Sequence, residues 1–485
     1  MKHLRRWLIA LVAVFAAVVT LNMQTVHADD SLAKVQQKGT LVMGTSPDYA
    51  PYEFLVNKNG KNQVVGMDVE VARKIAKDLG VKLVIKQMNF NSLLVALQTG
   101  KVDMVLAAMS PTNARRKSVD FSNTYYKSGQ DILVNKTDAK IYKDHKSFAN
   151  KKVGVQNGSL QETLAKTQMK TSSTLGLTKV TDLILALKTH KVAGVVAEGA
   201  VAKAYTSNDD SLVEIPGHFN LSSDTVGTAI GFAKNSDSLV AAANKSLAEI
   251  KQKGLINQYL KTAGSYMKTN TEDTSMIHYW TYFLKGVEYT LLISAIGAFF
   301  GVLLGTIFAL LRLSKNKLSH LIGVSYIEFV RGTPLMIQVM FVYFGIGIFI
   351  DIPALIAGLI AVSLNSAAYV AEIIRSGIDS IPVGQTEAAR SLGLSERQTM
   401  ISVVLPQAIK NIWPALGNEF ISLIKESSIV SIIGVTDLIY QLTVVQTATY
   451  KGVQPILVAM VLYFVLTFGL SKLLSHFERK MNHAE

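Results

Sequence analysis

The chain of 485 residues contains no cysteine. That absence excludes a disulfide framework, a thiolate metal site and a cysteine nucleophile. It also excludes a lipid-anchored N-terminus, which needs a cysteine at its cleavage point. Charge is scarce too: 17% of residues are Asp, Glu, Lys or Arg, while 49% are hydrophobic. Mean hydropathy is positive, and a soluble protein of this length is usually more polar, so part of the chain is expected in a membrane. Acidic residues are the rarer sign, 35 against 49 basic, which leaves a formal charge of +14. The excess does not point to nucleic acid, because many basic residues flank apolar runs, as inward-facing membrane loops require. A G-x-x-x-x-G-K-[ST] phosphate loop is missing as well. The Gly-Lys pairs, Gly60–Lys61 and Gly100–Lys101, are followed by Asn62 and Val102.

What is present falls into segments with different solvents. Residues 1–28 have the pattern of an export signal: Lys2, Arg5 and Arg6, then "LIALVAVFAAVVTL", then "VHA" before Asp29. Residues 29–268 are expected to follow outside the cytoplasm as a ligand-binding domain. There "TLVMGTS", "KLVIKQM" and "VDMVLAAMS" are strand-like, and "GMDVEVARKIAKDLG" has helical spacing. This alternation predicts an α/β domain with largely parallel sheets. The rhythm restarts at "KKVGVQNGS" and "KVAGVVAEG", which predicts a second lobe, and "TAIGFAKN" is read as a return to the first. The cleft between two hinged lobes is a natural ligand site.

Residues 269–280 are polar at first and are read as a linker into a membrane domain at 281–485. Its five apolar spans are placed at about 286–311, 324–350, 354–374, 412–433 and 455–475, with polar interruptions in the second and fourth. Arg312, Lys315 and Lys317 follow the first span, and Arg375, Arg390, Arg397 and Lys410 occupy the long third connection. With "HFERKMNH" after the fifth span, all three basic segments fall on one side. That side is the cytoplasm.

Within the soluble half, two helix starts suit an anion. In "AAMSPTNARRK", Ser110 is a candidate N-cap, Pro111 suits the first helical position and Arg115 lies one turn on. In "QNGSLQET", Ser159 and Glu162 have capping-box spacing after a turn at Asn157–Gly158. Glu198, at the end of the apolar run "AGVVA", can accept bonds from an ammonium group. Tyr49 and Phe90 sit in loops after strands, where aromatic rings can sandwich an aliphatic stem.

Taken together, "GTSPDYAPYEF", "GMDVEVARKIAKDLG", "NFNSLLVALQTGKVDMVLAAMSPTNARRKSVDFSNTYYKSG" and "VGVQNGSLQE" resemble the polar amino-acid solute-binding proteins of ABC importers, over nearly all of residues 38–262. The resemblance implies a two-lobed, periplasmic-binding-protein-like α/β domain that closes on a free amino acid. By position, Arg115, Ser110 and the Ala108 backbone would hold the α-carboxylate, helped by the loop at Ser159. Glu198 would take the α-ammonium, and Tyr49 and Phe90 would clamp the side chain. Glutamine-binding relatives often carry aspartate where this chain has Ser46 and lysine where it has Gln156. Those departures count against a strict glutamine assignment, and "GTSPDY" with "GVQNGSLQE" looks closer to arginine-type binders.

From about residue 280 onward the chain resembles the permease subunit of the same importers, an all-α domain with five membrane helices. "EFVRGTPLMIQ", "NSAAYVAEIIRSGIDSIPVGQTEAARSLG" and "LIKESSIVSIIG" carry this likeness. Glu387, Ala388, Ala389, Gly393, Leu405 and Pro406 match the family's ATPase-coupling motif, with Val403 where isoleucine is commoner. The expected partners are therefore a separate cytoplasmic ABC ATPase, a second copy of the chain, a free amino acid and membrane lipid. No cofactor or metal is expected on the chain itself, and the expected location is the plasma membrane. Two rivals share the binding fold: a glutamate-receptor-like channel and an exported enzyme. A channel would split the binding domain around its pore and carry a T-V-G-Y-G-like filter, and an enzyme would need no fused permease.

Overall fold

The computed structural model describes residues 29–482 apart from 59–60, 170–171, 222–225, 272–274 and 450. The export-signal pattern at 1–28 lies outside the described residues. The strands are β1 (Thr40–Thr45), β2 (Asp48–Tyr49), β3 (Glu53–Lys58), β4 (Lys61–Val65), β5 (Lys82–Gln87), β6 (Met104–Val105), β7 (Val119–Phe121), β8 (Gln130–Asn135), β9 (Lys152–Gln156), β10 (Ser173–Leu177), β11 (Gly194–Glu198), β12 (Leu212–Pro216) and β13 (Gly231–Ala233).

The strands build two lobes. In the first, the order is β5-β1-β6-β13-β7, with β1 parallel to β5 and β6 and with β13 antiparallel to its neighbours. Strand β1 is buried along almost its whole length, as a parallel strand covered on both faces should be. In the second, the order is β10-β9-β11-β8-β12, with β9 parallel to β10 and β11. The chain crosses between lobes after β7 and returns at β13, so "TAIGFAKN" does rejoin the first lobe. A small antiparallel sheet, β2-β3-β4, flanks the first lobe.

Helix Met67–Asp78 shows how sequence spacing sets the packing. It buries Val69, Val71, Ala72 and Ile75 against the sheet and turns Arg73 and Lys77 outward. Its entry depends on Gly66, whose φ is +130°; a Cβ there would lie 2.1 Å from the Tyr52 carbonyl oxygen. Only glycine fits.

The C-terminal half is helical. Helices Trp280–Leu313, Ala354–Asp379 and Val453–Asn482 each contain a stretch long and apolar enough to cross a membrane. Two bent pairs raise the number of spans to as many as five. The first falls inside the expected second span, whereas the other lies just beyond residue 433, where the expected fourth span ends. Lys317–Arg331 and Leu335–Ile348 meet at 105° beside Pro334, and Glu396–Ile433 and Leu438–Thr449 meet at 56° beside Gly434. Helix Trp280–Leu313 crosses Ala354–Asp379 closely because Gly301 and Gly305 leave room for Ser366 and Val370.

Helical structure enters the expected linker from both ends: helix Leu255–Thr271 runs in from the receptor, and a turn at Met276–Tyr279 leads into Trp280. The aromatic residues beyond it join the two halves. One apolar cluster runs from Leu41, Met43 and Ile75 of the first lobe through Tyr279, Tyr282 and Phe283 to Leu438 and Val444. The receptor thus packs directly on its own membrane half.

Candidate functional site

The cleft is built where loops at the carboxyl ends of the strands from both lobes converge. Arg115, in the short helix Asn113–Arg116, is 9% exposed. Its Nη1 donates to the Ser110 carbonyl at 2.8 Å and its Nη2 to the Gly158 carbonyl of the second lobe at 2.9 Å. Burial pulls its pKa down to about 10, which still leaves a cation at neutral pH. Its guanidinium carbon lies 5.4 Å from the centre of the Phe90 ring. Helix Asn113–Arg116 is not capped by Ser110 as expected. Thr112 N–H bonds back to the Ser110 carbonyl at 2.9 Å, and this tight turn delays the helix, so Thr112 is the N-cap.

Across the cleft, Ser159 caps helix Leu160–Gln168 by accepting from Glu162 N–H at 3.1 Å. The expected reciprocal bond is shifted by one residue, because the Glu162 carboxylate accepts from Gly158 N–H at 2.7 Å. Gly158 adopts φ +72°, and that turn aims its carbonyl at Arg115.

Glu198 ends β11, is 3% exposed and accepts from the Tyr52 hydroxyl at 2.6 Å. Burial pushes its carboxyl up to about 8, Asp68 adds to the rise, and the Tyr52 bond opposes it. Tyr49 stands 6.0 Å from Tyr52, which in turn stands 5.9 Å from Tyr126. Gln161 donates to the Tyr49 hydroxyl at 3.4 Å and to Gln130 at 2.8 Å. The result is a cation at one end, a carboxyl at the other, and an aromatic wall between them. Such an arrangement has the charges to receive a zwitterion.

The structure therefore brings Tyr49, Phe90, Ala108, Ser110, Arg115, Ser159 and Glu198 to one cleft. The other two candidates turn to neighbours within the protein. Ser46 donates to Asp48 at 2.9 Å, and the Gln156 amide donates to the Thr178 carbonyl at 3.2 Å. Sequence reasoning missed Tyr52 and Gln161, although both lie inside quoted motifs, "PYEF" and "GSLQE".

Two family matches cover most of the chain. Residues 41–264 match the bacterial extracellular solute-binding proteins, family 3, and residues 301–483 match the binding-protein-dependent transport system inner membrane component. The arginine-binding extracellular protein ArtP of Bacillus subtilis is 35% identical over 265 residues, 53% of this chain and 97% of its own length. The arginine transport system permease protein ArtQ of the same organism is 40% identical over 214 residues, 44% of this chain and 98% of its own. The chain belongs to the amino-acid ABC importers. It carries their receptor and permease in one polypeptide, and ATP hydrolysis belongs to a separate subunit. Among solved structures, an arginine-bound amino acid ABC transporter substrate-binding protein of Streptococcus pneumoniae is 36% identical. It covers 48% of this chain and 98% of its own, with a TM-score of 0.47.

The importer's receptor touches its permease at the two connections that the basic residues place outside. From the first lobe, the Lys101 ammonium, 1% exposed, lies 2.7 Å from Asp351 and 5.1 Å from the centre of the Tyr343 ring. Gln87 receives the Tyr440 hydroxyl. From the second lobe, Lys179 donates to Thr443. At the opposite end, the coupling motif forms a hairpin of helices Val383–Ser391 and Glu396–Thr399, the second capped by a Ser395–Gln398 box. Gly393 sits between them with φ +87°, while Leu405 and Pro406 open helix Leu405–Glu426. Glu387 and Ala388 face outward, whereas Ala389 is 4% exposed and packs inside the hairpin.

Proposed function

We propose that this chain captures a basic amino acid such as arginine, or glutamine, and imports it through a pathway formed with a second copy of itself. Arg115 and the Ser110 and Ser159 loops receive the α-carboxylate, Glu198 receives the α-ammonium, and Tyr49 and Phe90 flank the side chain. The observation that carries this reading is the burial of a cation, Arg115, on the first lobe and of a carboxyl, Glu198, on the second, with Phe90, Tyr49 and Tyr52 beside them. The names of ArtP and ArtQ favour arginine, and GlnP of Rickettsia bellii, 40% identical over 202 residues, keeps glutamine in view.

Pairing of two copies is supported by the membrane half. A cavity of about 750 Å³ opens beside helix Trp280–Leu313, and Ser366 and Glu419 interrupt its apolar lining of Phe299, Leu303 and Phe420. Polar groups at this depth suit a solute path shared between copies. Exposed Leu310, Phe464 and Val465 suit lipid. The ATPase engages the 383–406 hairpin from the cytoplasm. Calorimetry on the full-length protein in lipid nanodiscs, with each common amino acid, tests the substrate. Tight binding of arginine or glutamine is expected, and binding confined to acidic or aliphatic amino acids refutes the assignment.

A further inference from the structure

Two buried acids beneath the cleft have no role in the reading so far. Glu53, the first residue of β3, is fully buried, and neither of its carboxyl oxygens receives an N–H or O–H. Asp68, in the first turn of helix Met67–Asp78, is equally buried. Its two oxygens are both in use: Oδ1 accepts from the Tyr125 hydroxyl at 2.7 Å and Oδ2 from Ala108 N–H at 3.0 Å. The two side chains are within hydrogen-bonding reach of each other. Asp48, Tyr49, Glu198, Tyr52 and Tyr125 are the titratable groups around them. Among the described residues neither carboxyl pairs with a lysine, arginine or histidine.

Two carboxylates buried in contact without a cation cannot both be ionised. The proton belongs on the group with no donor of its own. Asp68, which accepts two hydrogen bonds, is the carboxylate, and Glu53 is the acid that donates to it. The bond from Ala108 then gains meaning. Ala108 has φ +46°, a left-handed conformation that a residue with a Cβ rarely adopts. Its amide is tied to Asp68, and two residues on, the Ser110 carbonyl anchors Arg115.

We infer that Glu53 and Asp68 share one proton and act together as positioning residues that hold the Ala108 turn in its ligand-receiving shape. The inference rests on the amino-acid-receptor reading of the cleft. It gives a role to the acids of "PYEF" and "GMDV".

The test is L-arginine and L-glutamine binding to the full-length protein in nanodiscs, measured by calorimetry from neutral to alkaline pH. Glu53→Gln keeps a donor and cannot ionise, so its affinity near neutrality stays within about threefold of the parent. Its alkaline decline is shallower than the parent's, because the parent loses the shared proton there. Glu53→Leu removes the donor and weakens binding about tenfold or more, the scale of one unmet buried polar group. An alkaline profile of Glu53→Gln identical to the parent's overturns the inference, and so does a Glu53→Leu protein that binds normally. If Glu53→Leu fails to fold, the profile of the isosteric variant decides. A parent that binds no amino acid overturns the receptor reading and this inference with it. A binding parent whose variants leave affinity and profile unchanged overturns the inference alone.

Discussion

Binding of an amino acid should expel a proton from Glu198. With Tyr52 as its partner, burial holds this carboxyl up to about 8, so near pH 7 roughly nine in ten copies carry a proton. An α-ammonium beside Glu198 favours the carboxylate and removes that proton. Release should be about 0.9 proton per ligand near pH 7 and about half a proton near pH 8. Ionising the group costs about 1.4 kcal/mol near pH 7 and about 2.7 kcal/mol near pH 6, so affinity should rise roughly tenfold between them. Calorimetry in phosphate and Tris, whose ionisation enthalpies differ, gives the proton count from the change in observed heat. Glu198→Gln should bind more weakly and release none. Tight binding with no proton released by the parent, or the same release from the glutamine variant, refutes the pairing. The raised pKa also acts on folding. Between about 4.5 and 8 the native carboxyl holds more proton than the unfolded one, so this contribution to stability is full at acid pH and lost as pH rises through that window.

Arg115→Ala should weaken amino-acid binding by about 2–5 kcal/mol, because it leaves a desolvated carboxylate without its cation; near-parental affinity on calorimetry removes Arg115 from the site. Asp351→Lys sets a second cation against buried Lys101 while Asp351 itself is 81% exposed. Amino-acid affinity should hold and ligand-stimulated ATP hydrolysis by the partner subunit should fall, with partial recovery in the Lys101→Asp, Asp351→Lys exchange; unchanged stimulation denies the docking contact. Gly393→Val meets no atom within 4 Å, so its cost is backbone strain of about 1–2 kcal/mol at a left-handed turn. Binding should survive and uptake collapse. Leu392→Asp should do the same with no backbone strain, since Leu392 is 84% exposed; transport at the parental rate in both variants reduces the hairpin to a connecting loop.

Features carried by short-range pattern were legible in the sequence. The buried run of β1, the amphipathic helix Met67–Asp78 and the return strand β13 each follow from spacing or from an uninterrupted apolar run. The bend at Pro334 lies where helix-breaking residues interrupt the expected second span, while the bend at Gly434 follows the expected end of the fourth. Choices among competing hydrogen-bond partners were not legible. Ser110 and Thr112 are both able caps, and the turn at Pro111 decides for Thr112. Ser46 is placed to face a ligand by its position in "GTSPDY", yet its hydroxyl has Asp48 two residues away. Gln161 and Tyr52 contribute only once the lobes meet, and periodicity carries no information about that.

Contacts between the lobes and contacts with the permease are joined through adjacent residues. Asp48, in the small sheet of the first lobe, accepts from Val180 N–H at 3.2 Å and so caps the second-lobe helix Val180–Lys188 across the cleft. The preceding residue, Lys179, is the one that reaches Thr443 of the permease. Opening the cleft must part Val180 from Asp48, and it must carry Lys179 with it. The first lobe is meanwhile anchored independently through Lys101 to Asp351 and through Gln87 to Tyr440. One anchor set thus sits on each lobe, and both reach a single permease. If the lobes part when the amino acid leaves, the spacing between the two anchor sets changes, and a membrane half held by both would sense that change without touching the ligand.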